Sequence, residues 1–298
     1  MCTLMGHAVG PAWVLASSSD DPYVVSNQLV CAARVPHSYV AVRVVTEDPS
    51  SPVPWNRMLT RGVNTAGLAY TYAYVHEPGN ERAPHQQWPE VVLAECASVG
   101  QAVDLLQRHV GAVLSGNYLL ADAAGDAAAL EVSRTALRVT RNPDGALVCT
   151  NVWTTLEMVV SDRWGAETAR NRSARASSLL ARPPLDVRAI FDAMRDHSDG
   201  GGDADRPYGV SICNHGRQEG TISGEVLEPR HRELWWTYGW PCGQARGYET
   251  LERVPWGRFV GFSAAKVRVS GEVTTLDGRI TALGVRLIDG VEDRGEAG

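Results

Sequence analysis

The chain has 298 residues, of which 44% are hydrophobic, so it is long enough for one large domain with a substantial core or for two small domains. Its formal net charge of −6 predicts a mildly acidic surface, which argues against nucleic acid or an anionic membrane as the main partner. The sequence has no apolar run of about 18 residues, no signal-peptide pattern and no glycine motif for a nucleotide, so we expect a cytoplasmic protein without a membrane span. The Arg- and Ala-rich, Lys-poor composition is typical of a bacterium with GC-rich DNA.

Cysteines are scattered along the chain without a CxxC pair: Cys2, Cys31, Cys96, Cys149, Cys213 and Cys242. This spacing is typical neither of a zinc ribbon nor of a compact disulfide framework. We therefore expect no bound metal, no other cofactor and mostly reduced, buried thiols, since a free cysteine packs like a small apolar residue. Cys2 differs from the others because it directly follows Met1.

The first half of the chain is predicted to be mainly β-structure with one helix. The predicted strands, in which apolar and β-branched residues run between turn signals, cover residues 2–9, 12–17, 39–45 and 67–75. A turn-like segment over 62–67 precedes the last of these strands. Apolar residues at spacings of three and four then predict one helix over 89–111.

The second half is predicted to contain hairpins, then helices, then further strands. The predicted elements are hairpins over 117–133 and 137–151, helices over 166–181 and 185–197, and strands over 209–213, 220–227 and 232–238. Strands and helices therefore cluster rather than alternate one for one. This order favours an α+β layered domain with antiparallel sheets over a doubly wound parallel fold.

Cys2 is the first candidate for chemistry. If Met1 is removed, Cys2 carries a thiol and a free α-amine together, and its small side chain favours such removal. A thiol attacks as the thiolate and needs a base nearby, and an α-amine with an ordinary pKa of about 7.7–8.0 can take the proton. By position alone, a cysteine without a special role is the better interpretation, so the rest of the sequence has to decide.

Polar residues near predicted strand ends could complete such a site. Asp20 and Asp21 follow the second predicted strand, and a hairpin could bring either carboxylate back beside residue 2 to orient the amine. Asn151 ends a hydrophobic strand, where an inward polar group is costly unless it is used, and an Asn side chain can donate to an oxyanion. Aspartates in this context are more often turn or cap residues.

Further candidates have an ordinary structural interpretation beside the functional one. Arg170 and Arg172 lie on a predicted helix and could hold a substrate carboxylate, but single helix arginines are usually solvated. Asn64 suits a turn, since Asn tolerates the left-handed conformation. His215 fits a hydrogen-bonded structural histidine, and Trp153 fits either a core or an aromatic pocket wall. Only the joint pattern changes these interpretations.

The joint pattern is similar to a known enzyme class. The stretches that carry the similarity are Met1-Cys2, SSSDDP (17–22), TRGVNTAGLAYTYA (60–73), GNYLLADAAGDAAALEVS (116–133), LVCTNVW (147–153), ETARNRSARASSLL (167–180), YGVSICNHG (208–216), GTISGEVLEP (220–229) and GWPC (239–242). In this order they resemble N-terminal-nucleophile (Ntn) hydrolases, and above all the acyl-coenzyme A:6-aminopenicillanic acid acyltransferase family. Cysteine dipeptidases and the penicillin V acylase and bile salt hydrolase group are more distantly similar.

The resemblance implies a four-layer αββα sandwich with two stacked antiparallel sheets and Cys2 at the end of an inner strand. It implies that Cys2 attacks an amide carbonyl, that its own amine relays the proton to the leaving amine, and that water or a second amine resolves the thioester. Asp20 would then orient the nucleophile and its amine. Asn151 would contact the oxyanion or the substrate.

A helix arginine belongs to the implied site as well, and we choose Arg170, with Arg172 and Arg163 as rivals. We expect substrate contacts from three further residues: Asn64, Trp153 and Asp21. The expected partner is a small-molecule amide or acyl substrate, for which specialised metabolism is one plausible setting, and family habit implies a homo-oligomer. Hydrolysis and acyl transfer differ only in what cleaves the thioester, and we favour hydrolysis.

The sequence departs from the family pattern in two places. Relatives often carry Arg or Asn before the aspartate, where this chain has serines over 17–19, and a His often follows the Thr-Asn pair, where this chain has Val152. The serines remove a cation that could orient the nucleophile. We expect a catalytic domain over 2–265 and a strand extension with a charged tail over 266–298 that belongs to the same domain.

Two other functions stay open from sequence. One is a class II-type glutamine amidotransferase, which also starts Met-Cys, although its glutamine-binding stretches are not found in the right order. The other is a non-catalytic Ntn-fold binding protein in which Cys2 is inert, which the serines before Asp20 keep open.

Overall fold

The computed structural model describes residues 2–22, 25–32, 34–46, 55–79, 88–142, 145–157, 165–181, 186–197, 211–214, 219–238 and 241–242, and four short strands beyond them. The strands are β1 (Cys2–Val9), β2 (Ala12–Pro22), β3 (Val25–Ala32), β4 (Tyr39–Thr46), β5 (Leu59–Asn64), β6 (Ala69–Tyr74), β7 (Gly116–Ala121), β8 (Ala127–Val132), β9 (Leu137–Thr140), β10 (Ala146–Cys149), β11 (Glu219–Glu228), β12 (Glu233–Tyr238), β13 (Ser263–Arg268), β14 (Thr274–Leu276), β15 (Arg279–Thr281) and β16 (Arg286–Ile288). The helices are α1 (Trp88–Glu95), α2 (Val99–Arg108), α3 (Ala166–Leu180) and α4 (Val187–Met194).

Most of the strands form two antiparallel sheets of seven strands each. The first sheet has the order β10-β1-β2-β11-β12-β13-β16, and the second follows the chain from β3 to β9. β14 and β15 pair separately. β13 crosses the expected domain boundary at residue 265, and β16 pairs with β13 in the first sheet.

Apolar side chains are buried on three faces of these sheets, which produces four layers. Between the sheets, Leu4 and Leu15 of the first sheet lie in one cluster with Val63 and Leu119 of the second. α1 and α2 pack on the outer face of the second sheet, and α3 and α4 pack on the outer face of the first. Burial of each such leucine contributes about 1.5–3 kcal/mol. The αββα sandwich predicted from the resemblance is therefore confirmed.

The β1–β2 hairpin positions the candidate nucleophile. Its turn contains Gly10, whose φ of 60° lies in the left-handed region that glycine tolerates. The register pairs Cys2 with Ser19, so Asp20 lies next to the start of β1. Because successive strand side chains point to opposite faces, Ser19 faces the second sheet and Asp20 faces α3.

Three local predictions were wrong. The helix predicted over 89–111 is two helices, because Ser98 begins α2 with its Oγ accepting a hydrogen bond from Gln101 N at 3.3 Å. Apolar spacing runs through this break, since both helices pack on the same sheet. The turn expected over 62–67 is confined to its second half, because residues 62–64 belong to β5, and the strand expected over 209–213 is not formed at 211–213, the part of it that the structure describes. Of the helices described here, none is both long enough and apolar enough to cross a membrane.

Asn64 is a structural residue of this fold rather than the expected substrate contact. Its Nδ2 donates to the carbonyls of Leu93 and Cys96 at 2.8 and 2.7 Å, and its Oδ1 accepts from Leu68 N at 2.9 Å. These bonds tie the β5–β6 turn to the end of α1, because Leu93 lies in its last turn, where carbonyls have no intrahelical partner, and Cys96 directly follows the helix. The side chain is fully buried, so its polar atoms serve the backbone.

We therefore predict that Asn64→Ala lowers the free energy of unfolding by about 3 kcal/mol, because it leaves buried backbone groups without partners. Urea unfolding measures this loss. The control is Asn142→Ala, at an exposed site where the side chain donates to Ala146 O at 3.2 Å, and we expect a change within about 0.5 kcal/mol. Equal losses in the two variants would contradict the role assigned to Asn64.

Candidate active site

Cys2 begins β1, and its side chain lies in the apolar cluster between the sheets. Its backbone nitrogen donates to Asn151 Oδ1 at 2.6 Å. This is the nitrogen that becomes an amine if Met1 is removed. The thiol and the nitrogen of one residue are thus held in different surroundings, the thiol between the sheets and the nitrogen against a side-chain amide.

Arg61 of β5 lies beside the thiol. Its Nη2 is 3.5 Å from Cys2 Sγ, and its Nε is 3.2 Å from Glu225 Oε2. Only 1% of the Arg61 side chain and none of the Glu225 side chain is exposed. Burial opposes the charge on Arg61, but Glu225 and Cys2 outweigh it and raise the pKa of Arg61. A permanent positive charge therefore faces the sulfur.

Hydroxyl groups connect this ion pair to both sheets. Ser17 Oγ accepts from Arg61 Nε at 2.9 Å and donates to Glu225 Oε2 at 2.7 Å. Ser223 Oγ donates to Glu225 Oε1 at 2.5 Å and accepts from Asn27 Nδ2 at 2.6 Å. Every charged atom of the carboxylate is thus paired, as a buried charge requires.

Sequence reasoning missed Arg61, although it lies inside the quoted stretch TRGVNTAG. The available signal was its position two residues before Val63, on the face of β5 that points between the sheets. An arginine at such a position must have a buried partner. The cation that the serines over 17–19 do not provide thus comes from the opposite sheet.

Asp20 and Arg172 form a second buried ion pair on the helix-facing side of β2. Arg172 Nη1 lies 3.3 Å from Asp20 Oδ2, and Thr221 Oγ1 donates to Asp20 Oδ1 at 2.5 Å. Burial raises the pKa of Asp20 above its ordinary value of 3.8, against the opposing effects of Arg172 and Thr221. The negative charge of Asp20 therefore depends on these two partners.

Arg172 also links the pair to the nucleophile. Its Nη1 donates to Thr3 Oγ1 at 3.0 Å, and its Nη2 donates to Asn151 Oδ1 at 3.1 Å. The same Asn151 oxygen accepts from Cys2 N. One guanidinium thus fixes the acceptor that holds the Cys2 nitrogen.

The choice of Arg170 as the site arginine does not fit the structure. Two residues along an α-helix correspond to about 200°, so Arg170 and Arg172 lie on opposite sides of α3. Arg170 is exposed and Arg172 is buried. Arg163 and His215 lie outside the described residues. Arg172 therefore replaces Arg170 in the candidate site.

The segment that carries Asn151 is fixed by its neighbours. Asn117 Nδ2 donates to the carbonyls of Thr150 and Val152, both at 2.7 Å. Asn151 Nδ2 donates to Tyr74 O at 2.7 Å. An amide nitrogen carries two hydrogens, so a second donor belongs to the same group. This geometry preorganises the Asn151 side chain.

Trp153 and Asp21 are the other two residues that were expected to contact substrate, and they lie in different surroundings. Trp153 is buried, and its Nε1 donates to Gly116 O at 3.4 Å, so it packs against the start of β7. Asp21 accepts from Trp55 Nε1 at 3.2 Å and from Ser19 Oγ at 2.7 Å. Trp55 is only partly buried, and its ring lies 4.6 Å from that of Tyr74, whose carbonyl holds Asn151. Asp21 thus supports an aromatic surface beside Asn151.

Glu131 of β8 binds the loop that follows Trp153. Its carboxylate accepts hydrogen bonds from the hydroxyls and backbone amides of Thr154 and Thr155 and from Leu156 N, at 2.6–3.1 Å. Burial opposes the charge, but these donors outweigh it and lower the pKa of Glu131 below its ordinary value of 4.5.

Comparison with known proteins places the chain in a family. The family profile described as acyl-coenzyme A:6-aminopenicillanic acid acyl-transferase matches residues 51–241, which is more than half of the chain. The chain belongs to this family. It is therefore an enzyme of the amide-hydrolase and acyltransferase class, as predicted. The match includes Arg61, Asn151 and Arg172, whereas Cys2 and Asp20 precede it. No curated protein sequence matches this family member.

Solved structures support the fold of this acyltransferase-family chain. A single-residue variant of the Clostridium perfringens conjugated bile acid hydrolase is 10% identical, with a TM-score of 0.52, and the likeness covers 99% of this chain and 100% of that one. The Caenorhabditis elegans N-acylethanolamine-hydrolyzing acid amidase ortholog is 12% identical, with a TM-score of 0.51 and coverage of 77% and 93%. At such identities the likeness shows the fold alone.

We predict that Arg172→Gln lowers the free energy of unfolding by about 3–5 kcal/mol, because it leaves the Asp20 carboxylate buried without its cation. The same measurement on Arg170→Gln, a matched change on the exposed side of α3, is expected to move by less than about 0.5 kcal/mol. If Arg172→Gln does not fold, Arg172→Lys serves instead, since a lysine cannot reach Thr3, Asp20 and Asn151 together. A larger loss in Arg170→Gln would refute the assignment.

The lowered pKa of Glu131 predicts a pH dependence with a definite sign. A lowered folded-state pKa stabilises the protein above the ordinary value of 4.5, and this contribution is lost as pH falls through the folded value. The stability difference between wild type and Glu131→Gln should thus be largest near neutral pH, on the order of 1–3 kcal/mol, and shrink in acid. Chemical unfolding at several pH values measures it, with exposed Glu95→Gln as the control. A difference that grows in acid would contradict the prediction.

Proposed function

We propose that this enzyme is an N-terminal-cysteine amidohydrolase that cleaves a small amide through a thioester on Cys2. The observation that carries the proposal is the placement of Cys2, whose sulfur faces the buried Arg61 guanidinium while its nitrogen is held by Asn151. Arg61 stabilises negative charge on the sulfur, which is the nucleophilic form of a thiol. Membership of an acyl-transferring family supports the same reaction class.

The first half of the reaction forms the thioester. After removal of Met1, the α-amine of Cys2 accepts the thiol proton, and the sulfur attacks the amide carbonyl carbon. The carbonyl oxygen becomes an oxyanion, to which the second N–H of Asn151 can donate. The intermediate then expels the amine, which takes its proton from the Cys2 ammonium.

The second half releases the acyl group. Water attacks the thioester carbon, gives its proton to the Cys2 amine, and leaves the acyl group as a carboxylic acid while the thiol is restored. An acceptor amine in place of water gives a new amide instead. We infer hydrolysis as the main reaction. Asp20 and Arg172 act in both halves as positioning residues, since they fix Asn151 and the start of β1.

The aromatic surface beside Asn151 indicates the substrate class. Trp55 is partly buried, lies against Tyr74 with the two rings tilted by 41°, and is oriented by Asp21. Aromatic rings bind apolar and aromatic groups through large contact areas. We therefore propose an amide with an apolar or aromatic group close to the cleaved bond. By their names, the two solved structures described above are a hydrolase of conjugated bile acids and an amidase that hydrolyses N-acylethanolamines, which fits this proposal.

The proposal predicts that the untagged protein has lost Met1 and that limiting iodoacetamide labels Cys2 first, because its thiol lies beside both the α-amine that acts as the base and the Arg61 cation. Intact mass and peptide mapping measure both. Cys2→Ser should lose hydrolysis of a panel of apolar N-acyl amides, and the partly buried Cys149→Ser should keep it. Retained Met1, or labelling spread over the other cysteines, would indicate a binding protein. Ammonia release from glutamine alone would indicate an amidotransferase.

The role of Arg61 is tested by replacing Arg61 alone, and Arg61 together with Glu225, by neutral glutamine. Arg61→Gln leaves Glu225 buried and unpaired and should cost about 3–5 kcal/mol, whereas the double variant with Glu225→Gln removes both charges and should cost less. Both variants should slow alkylation of Cys2 at neutral pH by at least about tenfold, because the charge facing the sulfur is gone. Exposed Arg138→Gln is the control. Unchanged Cys2 reactivity in the double variant would show that Arg61 is only structural.

A further inference from the structure

Three residues that are distant in sequence lie close together near Asp20. His197 follows α4, Cys213 precedes β11, and Cys242 follows β12. One ligand atom from each, a ring nitrogen and two thiol sulfurs, lies within 4.8 Å of the others. The proposed amide reaction does not use any of the three.

Contacts outside the cluster fix the three segments relative to one another. The backbone nitrogen of Cys213 donates to Asp196 O at 3.2 Å, and Arg195 Nε donates to Pro241 O at 3.1 Å. The Asp196 carboxylate is itself held by Arg175, whose Nε donates to it at 2.9 Å. The residues next to His197 therefore bind Cys213 itself and the neighbour of Cys242. The cluster is preorganised by the fold.

The donor set is typical of a zinc site. Zinc binds thiolate sulfur at about 2.3 Å and imidazole nitrogen at about 2.0–2.1 Å in a tetrahedron, so its ligand atoms lie roughly 3.5–3.8 Å apart. The present atoms, at most 4.8 Å apart, need to approach by about 1.3 Å at most. Cys213 is buried, and His197 and Cys242 are partly buried, so an ion can enter from their side. Sequence spacing did not indicate this site, because the ligands come from three separate segments.

We propose that His197, Cys213 and Cys242 form a zinc site with three protein ligands. Zinc takes the two thiols as thiolates and releases their protons, and its fourth position is left for water. The site adjoins the proposed catalytic residues, because Asn214 N donates to Thr221 Oγ1 at 2.8 Å and Thr221 holds Asp20. Zinc thus connects the segment of Cys213 and Asn214, which adjoins Asp20, to the ends of α4 and β12.

The test uses the untagged full chain, freed of metal with a chelator and titrated with Zn²⁺ against a chromophoric competitor. We expect one tightly bound Zn²⁺ per chain, a zinc-dependent rise in Tm, and thiolate charge-transfer absorption when Co²⁺ replaces Zn²⁺. Cys242→Ser should weaken zinc binding by at least the ~10–100-fold that loss of an outer-shell partner causes. His197→Asn serves as the second variant if Cys242→Ser does not fold.

Two controls separate this site from other thiols. Cys149→Ser, also partly buried, and Cys2→Ser should bind Zn²⁺ as the wild type does. Zinc lost in Cys2→Ser but kept in Cys242→Ser would place the metal at the nucleophile and overturn the proposal. The absence of stoichiometric binding, or a disulfide joining Cys213 to Cys242 in the freshly purified protein, would overturn it as well.

Discussion

The buried ion pair between Arg61 and Glu225 connects the two halves of the sandwich at the point where chemistry is proposed. Arg61 belongs to the second sheet and Glu225 to the first. Both side chains are buried, so solvent does not screen their charges. Such a pair contributes little net stability, because desolvation of both ions offsets their attraction. The pair instead fixes geometry, since burial of either charge without the other would cost much free energy. The sheets must therefore stack in the one register that brings Arg61 opposite Glu225, and Cys2 is held against the guanidinium by the same constraint.

The alternation of side chains along β2 divides the site into two networks. Ser17, Ser19 and Asp21 face the second sheet, where they support Arg61 and Trp55. Asp20 faces the helix layer, where it pairs with Arg172. A single strand thus supplies partners to both sides of the nucleophile, and a register shift of one residue would exchange the two sets. This explains why a run of buried polar residues ends a strand whose earlier buried residues are apolar.

The α+β class could be predicted from the order of strands and helices, whereas the layer order and the place of Cys2 could be predicted only from the resemblance to Ntn hydrolases. The side chains that complete the site could not be, because their partners come from remote strands. Arg61 and Glu225 are separated by 164 positions, as their numbers show, and nothing local marks them as a pair. Arg170 and Arg172 are equivalent in sequence and differ only in which side of α3 meets the sheet. Asn64 seemed available for substrate because its hydrogen-bond acceptors, the carbonyls of Leu93 and Cys96, are 29 and 32 residues away in sequence.

The shared acceptor on Asn151 has a consequence for how the enzyme would mature. An amide oxygen only accepts hydrogen bonds, so it can hold the Cys2 nitrogen both as a peptide N–H and as a free amine. The partner of the nitrogen is in place before the first peptide bond is cut, and cleavage does not have to rebuild the pocket. After cleavage, the oxygen engages a hydrogen of the amine and leaves the lone pair of the nitrogen directed elsewhere. That lone pair is the base, so the same contact that anchors the new terminus keeps its basic site open for the thiol proton.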